Sequence, residues 1–197
     1  MSKTDDYGWD EHAPESSNYI NPAILEIAAQ ARPRTILDAG CGNGELAGML
    51  ARSGYEVVGV DGDAQGIEIA RKRQPEAAFS VGLFEEAPPG TFDFVCSTEV
   101  VEHLYSPHEL ARYCFEALRP GGTLAISTPY LALSVADAWD KHHTAEWHGG
   151  HIKFWSRKTL SSLLRNAGFE ITGFRGVGRF PYLWKSMIVI ARRPASA

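Results

Sequence analysis

Residues 36–50 read ILDAGCGNGELAGML, an apolar run that breaks into three glycines within five positions and then turns helical. Glycine gathers behind a buried strand either to make a tight turn or to let a ligand lie against main-chain atoms. In both cases Thr35-Ile36-Leu37 is a strand inside a sheet, followed by a helix from about Glu45 to Ser53 that Gly54 closes. The unit recurs. YEVVGV (55–60) is a second strand, 64–73 a helix stopped near Pro75, 78–81 a weak third strand and FDFVC (92–96) a fourth. A helix follows, interrupted by Pro107 and resumed through Glu109 to Leu118. Arg119-Pro120-Gly121-Gly122 reads as a turn and TLAIS (123–127) as a fifth strand. Asn18 to Gln30 precedes these as a helix with Pro22 in its first turn. Thr159 to Ala167 is an amphipathic helix, and 169–174 and SMIVIA (186–191) are closing strands. Such alternation predicts an α/β, Rossmann-like fold, a mostly parallel sheet with helices on both faces.

A chain of 197 residues fits one domain with a sizeable core. Its net charge of −5 argues against a grip on long nucleic acid through phosphates. Cys41, Cys96 and Cys114 lack zinc-type spacing and are expected as small buried residues. The opening MSKTDDYGWDEH is acidic and aromatic, unlike a secretory leader, and no run approaches the roughly 18 apolar residues of a membrane span, so a cytoplasmic protein is expected. Residues 1–17 read as a flexible lead-in and 18–197 as the domain, with an insertion at about 130–155 that holds His142, His143, His148 and His151 between Trp139, Trp147 and Trp155. The run Arg71-Lys72-Arg73 reads as a solvated helix face.

In a parallel sheet, ligands bind beyond the carboxyl ends of the strands. Asp61, 23 residues after Asp38, ends the second strand, where a carboxylate suits a ribose diol. Two nucleoside cofactors compete. A dinucleotide site carries G-x-G-x-x-G and a helix N-terminus open to pyrophosphate. Here the spacing is G-x-G-x-G, with Asp38 before it and Glu45 opening the helix. Negative charge at that mouth repels pyrophosphate and suits a sulfonium or an amino group.

From about residue 18 to 191, the ordered motifs LDAGCGNG, VVGVDGD, FDFVCSTEVVEHL, LRPGGTLAIST and SMIVIARR resemble the class I S-adenosylmethionine-dependent methyltransferases. That resemblance implies a seven-stranded sheet with an antiparallel last strand and S-adenosyl-L-methionine as cofactor. It implies that Gly40, Cys41, Gly42 and Gly44 line the methionine part, Asp38 holds its amino group, and Asp61, with Gly62 beside it, holds the ribose. Relatives often place an aspartate for adenine after the third strand; here the stretch is Val81-Gly82-Leu83-Phe84-Glu85, so Leu83 or Phe84 is expected against the ring. Ser97 is expected to approach the cofactor through its backbone.

Methyl transfer requires an aligned acceptor, exclusion of water and often removal of a proton. If Glu99-Val100-Val101-Glu102-His103 opens a helix, Glu99, Glu102 and His103 share one face. They then suit a divalent cation, or are merely acidic residues at a helix N-terminus. E-x-x-E-H here resembles the ubiquinone-biosynthesis O-methyltransferases and the small-RNA 3′-terminal 2′-O-methyltransferases, where it is associated with a divalent metal. WHGGHIKFWS resembles the later histidine segment of the RNA group. The implied ligands to a cation such as magnesium are Glu99, Glu102, His103, His148 and His151. Without metal, Glu102 and His103, His143 or His148 carry the acid–base chemistry. Trp139, Trp147 and Trp155 are read as acceptor-pocket or packing residues, and the insertion as an acceptor lid. The expected partner is a small-molecule acceptor, glycan or lipid intermediate rather than nucleic acid, with room for a homodimer. The alternatives are a terminal RNA 2′-O-methyltransferase, a non-catalytic cofactor-binding subunit and, more remotely, an NAD-dependent oxidoreductase.

Overall fold

The computed structural model describes residues 15–130, 151–179 and 183–195. Its elements run α1 (Ser17–Ala31), β1 (Thr35–Ala39), α2 (Glu45–Arg52), β2 (Glu56–Asp61), α3 (Ala64–Arg73), β3 (Ala78–Val81), β4 (Phe92–Thr98), α4 (Pro107–Ala117), β5 (Leu118–Pro129), α5 (Arg157–Asn166), β6 (Glu170–Val177) and β7 (Ser186–Arg192). The seven strands lie in the order β3-β2-β1-β4-β5-β7-β6. β1 to β5 pair in parallel, and β7 runs antiparallel to both β5 and β6. The strand order reverses between β1 and β4, which puts a crevice at their carboxyl ends.

Strand periodicity explains the three layers, since successive side chains leave a strand on opposite faces. Leu37, Val95, Leu124 and Val189 pack with Leu110, Cys114, Leu160 and Leu164 of α4 and α5. Ile36, Phe94, Ala125 and Ile188 pack with Ile24, Leu50 and Ile67 of α1, α2 and α3. Both faces are therefore covered, as a parallel sheet requires. All three cysteines are buried free thiols.

Four local expectations change. α1 starts at Ser17, so Pro22 lies in its second turn, where it offers no N–H to the Asn18 carbonyl. Arg119–Gly122 is no turn but a bulge within β5: Phe92 pairs with Leu118 and Phe94 with Thr123. Arg193 secures it, exchanging backbone bonds with Gly121 (2.8 Å) and Gly122 (3.0 Å). Residues 99–106 are turns rather than a helix, and Pro107 opens α4 instead of interrupting it. Proline belongs there, because a first-turn residue has no intrahelical acceptor for an N–H. Arg71 is not simply solvated: its guanidinium donates to the Phe79 carbonyl (3.3 and 2.9 Å) and ties α3 to β3. The lead-in up to residue 14 and the insertion from 131 to 150 lie outside the described residues.

Candidate active site

The glycine segment closes over the end of β2. The Gly40 and Cys41 N–H groups both donate to the Val60 carbonyl (2.7 and 3.1 Å). Gly40 has φ +84°, and a Cβ there would overlap the Val100 methyls; Gly44 has φ +79°, and its Cβ would stand 2.7 Å from Ala70 and 2.8 Å from the Phe79 ring. Neither position admits a side chain, so backbone is what the crevice presents. Asp61 is locked in place: one oxygen accepts from the Gly42 N–H (2.8 Å) and the other from the Asp63 N–H (2.9 Å). Burial pushes its carboxyl up, against those two bonds, which pull it down. Each oxygen keeps a lone pair for a further donor.

Asp38, at the carboxyl end of β1, is 1% exposed. Its Oδ1 accepts from the Cys96 thiol (3.6 Å), while Oδ2 makes no hydrogen bond among the described residues. Burial raises its pKa to about 7, opposed by the Cys96 bond. Ser97, near the end of β4, is fully buried with its Oγ likewise unbonded. Buried polar atoms of this kind are costly and normally have partners. Two of them beside a glycine crevice fit a ligand that carries an amino group, and the fixed carboxylate of Asp61 fits a diol. The donor set is right for S-adenosylmethionine. Past β3, Leu83 is 55% exposed and lies beside Gly62. Phe84 turns inward instead, its ring edge-on to Tyr113 at 5.3 Å, which leaves Leu83 as the open apolar surface there.

The acidic motif divides. Glu99 has φ +55°, rare for a residue with a Cβ. Its N–H donates to the Ser127 carbonyl and Oγ (3.3 and 3.2 Å), and its carboxyl accepts from the hydroxyls of Ser127 (2.9 Å) and Ser186 (3.2 Å). Burial lifts its pKa to about 7 against those bonds. Glu102 is 1% exposed; Oε2 accepts from Thr128 (3.0 Å), and Oε1 lies 3.9 Å from His103 Nε2. Burial first, then the charge of Glu99, holds it well above the usual carboxylate range. The Glu102 carbonyl accepts from the Ile152 and Lys153 N–H groups (3.0 and 3.1 Å), which delivers the neighbouring His151. The His103 and His151 rings meet edge to face at 4.8 Å. One ligand atom from each of Glu102, His103 and His151 falls within 4.8 Å of the others.

The structure therefore brings together three of the five residues expected around a metal. Glu99 is not among them, because the turn at 99–103 replaces the helix that would have put it on their face. His143 and His148, like Trp139 and Trp147, lie outside the described residues. Trp155 pairs with Tyr130 in an isolated bridge and packs against the core. Ser127, Thr128 and Ser186 are not among the residues expected from the sequence, although hydroxyl residues at the ends of apolar strands were a usable signal.

Residues 10–173 match the family described as a methyltransferase domain. The chain is 34% identical over 202 aligned positions to the ubiquinone biosynthesis O-methyltransferase of Xanthomonas campestris, covering 94% of this chain and 84% of that one. The Xanthomonas euvesicatoria protein of the same description is 29% identical over the same shares. A crystal structure of a methyltransferase from Methanosarcina mazei superposes with a TM-score of 0.69 at 20% identity, over 87% of this chain and 97% of that chain.

Proposed function

This chain belongs to the S-adenosylmethionine-dependent methyltransferases, and we propose that it methylates a hydroxyl oxygen of a small molecule, glycan or lipid intermediate. The observation that carries the reading is the group formed by buried Glu102 with partly buried His103 and His151, of which Glu102 and His103 lie two and three residues along the chain from Val100, the residue against Gly40. The cofactor supplies an electrophilic methyl group on a sulfonium. Asp38 and Ser97 hold its amino-acid part in this reading, and Asp61 its ribose.

A hydroxyl is a weak nucleophile until its proton leaves, so the site must take that proton at the moment of transfer. His103 is the acceptor we assign, its Nε2 3.9 Å from the buried Glu102 carboxyl that helps fix the ring. Ser127 and Ser186 fix Glu99, which in turn fixes the turn that carries the pair.

A divalent cation is the second reading of the same side chains. One carboxylate and two imidazoles suit a transition ion better than magnesium, which prefers oxygen ligands. There Glu102, His103 and His151 would hold the ion, which lowers the pKa of a bound hydroxyl. The test is a screen of catechols, sugars, lipid intermediates and short RNAs for cofactor-dependent methylation, with and without chelator. Methylation of a diol or phenol unaffected by chelator supports the histidine base; loss with chelator supports the cation; methylation of RNA alone overturns the small-molecule reading.

A further inference from the structure

The parallel crossovers from β1 to β2, β2 to β3 and β4 to β5 each contain a helix, but residues 82–91, which join β3 to β4, contain none. A connection without a helix has no hydrogen-bond ladder of its own. Its described backbone bonds are the Glu86 N–H to the Leu83 carbonyl (3.1 Å) and the Gly82 N–H to the Asp61 carbonyl (3.0 Å). Yet it starts at the most demanding place in the crevice: Asp61 pairs with Val81, and Leu83 Cδ2 lies 3.0 Å from where a Cβ on Gly62 would stand.

The far side of this loop is held by α4. Tyr113 receives the Phe84 ring, and the next residue back, Arg112, clamps the main chain: Nη2 donates to the carbonyls of Phe84 (3.1 Å) and Glu85 (3.4 Å). The guanidinium is itself squared by Glu109, through Nε (3.1 Å) and Nη2 (2.9 Å), and by Glu116 through Nη1 (3.0 and 3.1 Å). Carboxylates three residues before and four after lie on the same helix face and stop the fork from rotating. Arginine is required for this, because an ammonium group has no planar fork to span the carboxylates and the carbonyls together.

We propose that Arg112 is a positioning residue for the base of the cofactor. It holds the loop that sets Leu83 beside Gly62 and Asp61, so that the apolar surface meeting the base is in place before the ligand arrives. The inference rests on the cofactor assignment above. Exposed ion pairs contribute little to fold stability, whereas a loop left to be ordered on binding reduces affinity. Losing Arg112 therefore separates affinity from stability.

The test compares wild type, Arg112→Met and Arg112→Lys by calorimetry, with S-adenosylhomocysteine and with 5′-methylthioadenosine, which lacks the amino-acid half. We expect Arg112→Met to weaken both ligands by about tenfold, Arg112→Lys to recover part of the loss, and the ligand-free melting temperature to hold within about 2 °C. Wild-type affinity in Arg112→Met, or a loss seen with S-adenosylhomocysteine but not with 5′-methylthioadenosine, overturns the inference alone. A wild type that binds neither nucleoside overturns the proposed function and this inference with it.

Discussion

At the scale of single residues, the proposed site rests on two carboxylates in different surroundings. Asp61 is held by the Gly42 and Asp63 N–H groups and is oriented without any ligand. Asp61→Ala removes two hydrogen bonds to a charged group, and calorimetry should show cofactor affinity down about 100-fold. Asp38 is buried with a pKa raised to about 7. A carboxyl raised on folding takes up protons relative to the unfolded chain, so its contribution to stability is complete in acid and lost as pH rises through about 7. The ligand-free protein should melt lower as pH climbs from about 5 to 8, with a smaller slope in Asp38→Asn, while cofactor affinity, which needs the carboxylate, rises over the same range. Glu102→Gln with His103→Ala should cut turnover by about 100-fold or more with cofactor affinity unchanged, in an assay on whichever acceptor the screen returns. Asp38, the glycines and Asp61 were legible in the sequence because a local pattern encodes them, with strand, glycine turn and helix contiguous in the chain. The hydroxyls that hold Glu99 were not, since Ser127 and Ser186 come from β5 and β7, strands brought together only by the sheet.

At the scale of elements, the turns at helix starts do most of the placing. Gly44 sits at φ +79° against Ala70 and Phe79, so Gly44→Ala should cost about 2 kcal/mol or more in urea unfolding, from backbone strain plus overpacking. α5 begins with a reciprocal cap: Ser156 Oγ accepts from the Thr159 N–H (3.2 Å) and Thr159 Oγ1 from the Ser156 N–H (2.9 Å). Ser156→Ala should cost about 1 kcal/mol by the same measurement. Helix and strand positions followed from hydrophobic period alone, and 64–73 and 78–81 agree with the sequence reading to the residue. The reading of 99–103 as helix did not hold. Acidic spacing by itself fits a helix face, but the Glu99 N–H bonds Ser127 in the neighbouring strand, and that tertiary bond overrides the local preference.

At the scale of the whole molecule, the proposed site draws on the carboxyl ends of β1, β2 and β4 together, so cofactor binding should stabilise the entire domain. S-adenosylhomocysteine at a hundred times its dissociation constant adds about 2.7 kcal/mol. For a domain of this size that is a rise in melting temperature of about 5–10 °C in a thermal scan, and NAD at the same concentration should give none. Among the described residues no helix is long and apolar enough to cross a membrane. The sequence by itself determined the layered α/β fold, the glycine crevice and the carboxylate that ends β2, because alternating apolar periods and adjacent turn residues act over a few positions of chain. Only the tertiary structure decided that Glu102 joins His103 and His151 while Glu99 joins two serines. It also decided that an arginine on α4 holds a loop some 27 residues earlier. These pairings depend on strand order and on φ at one turn, and neither is written in the spacing of the residues concerned.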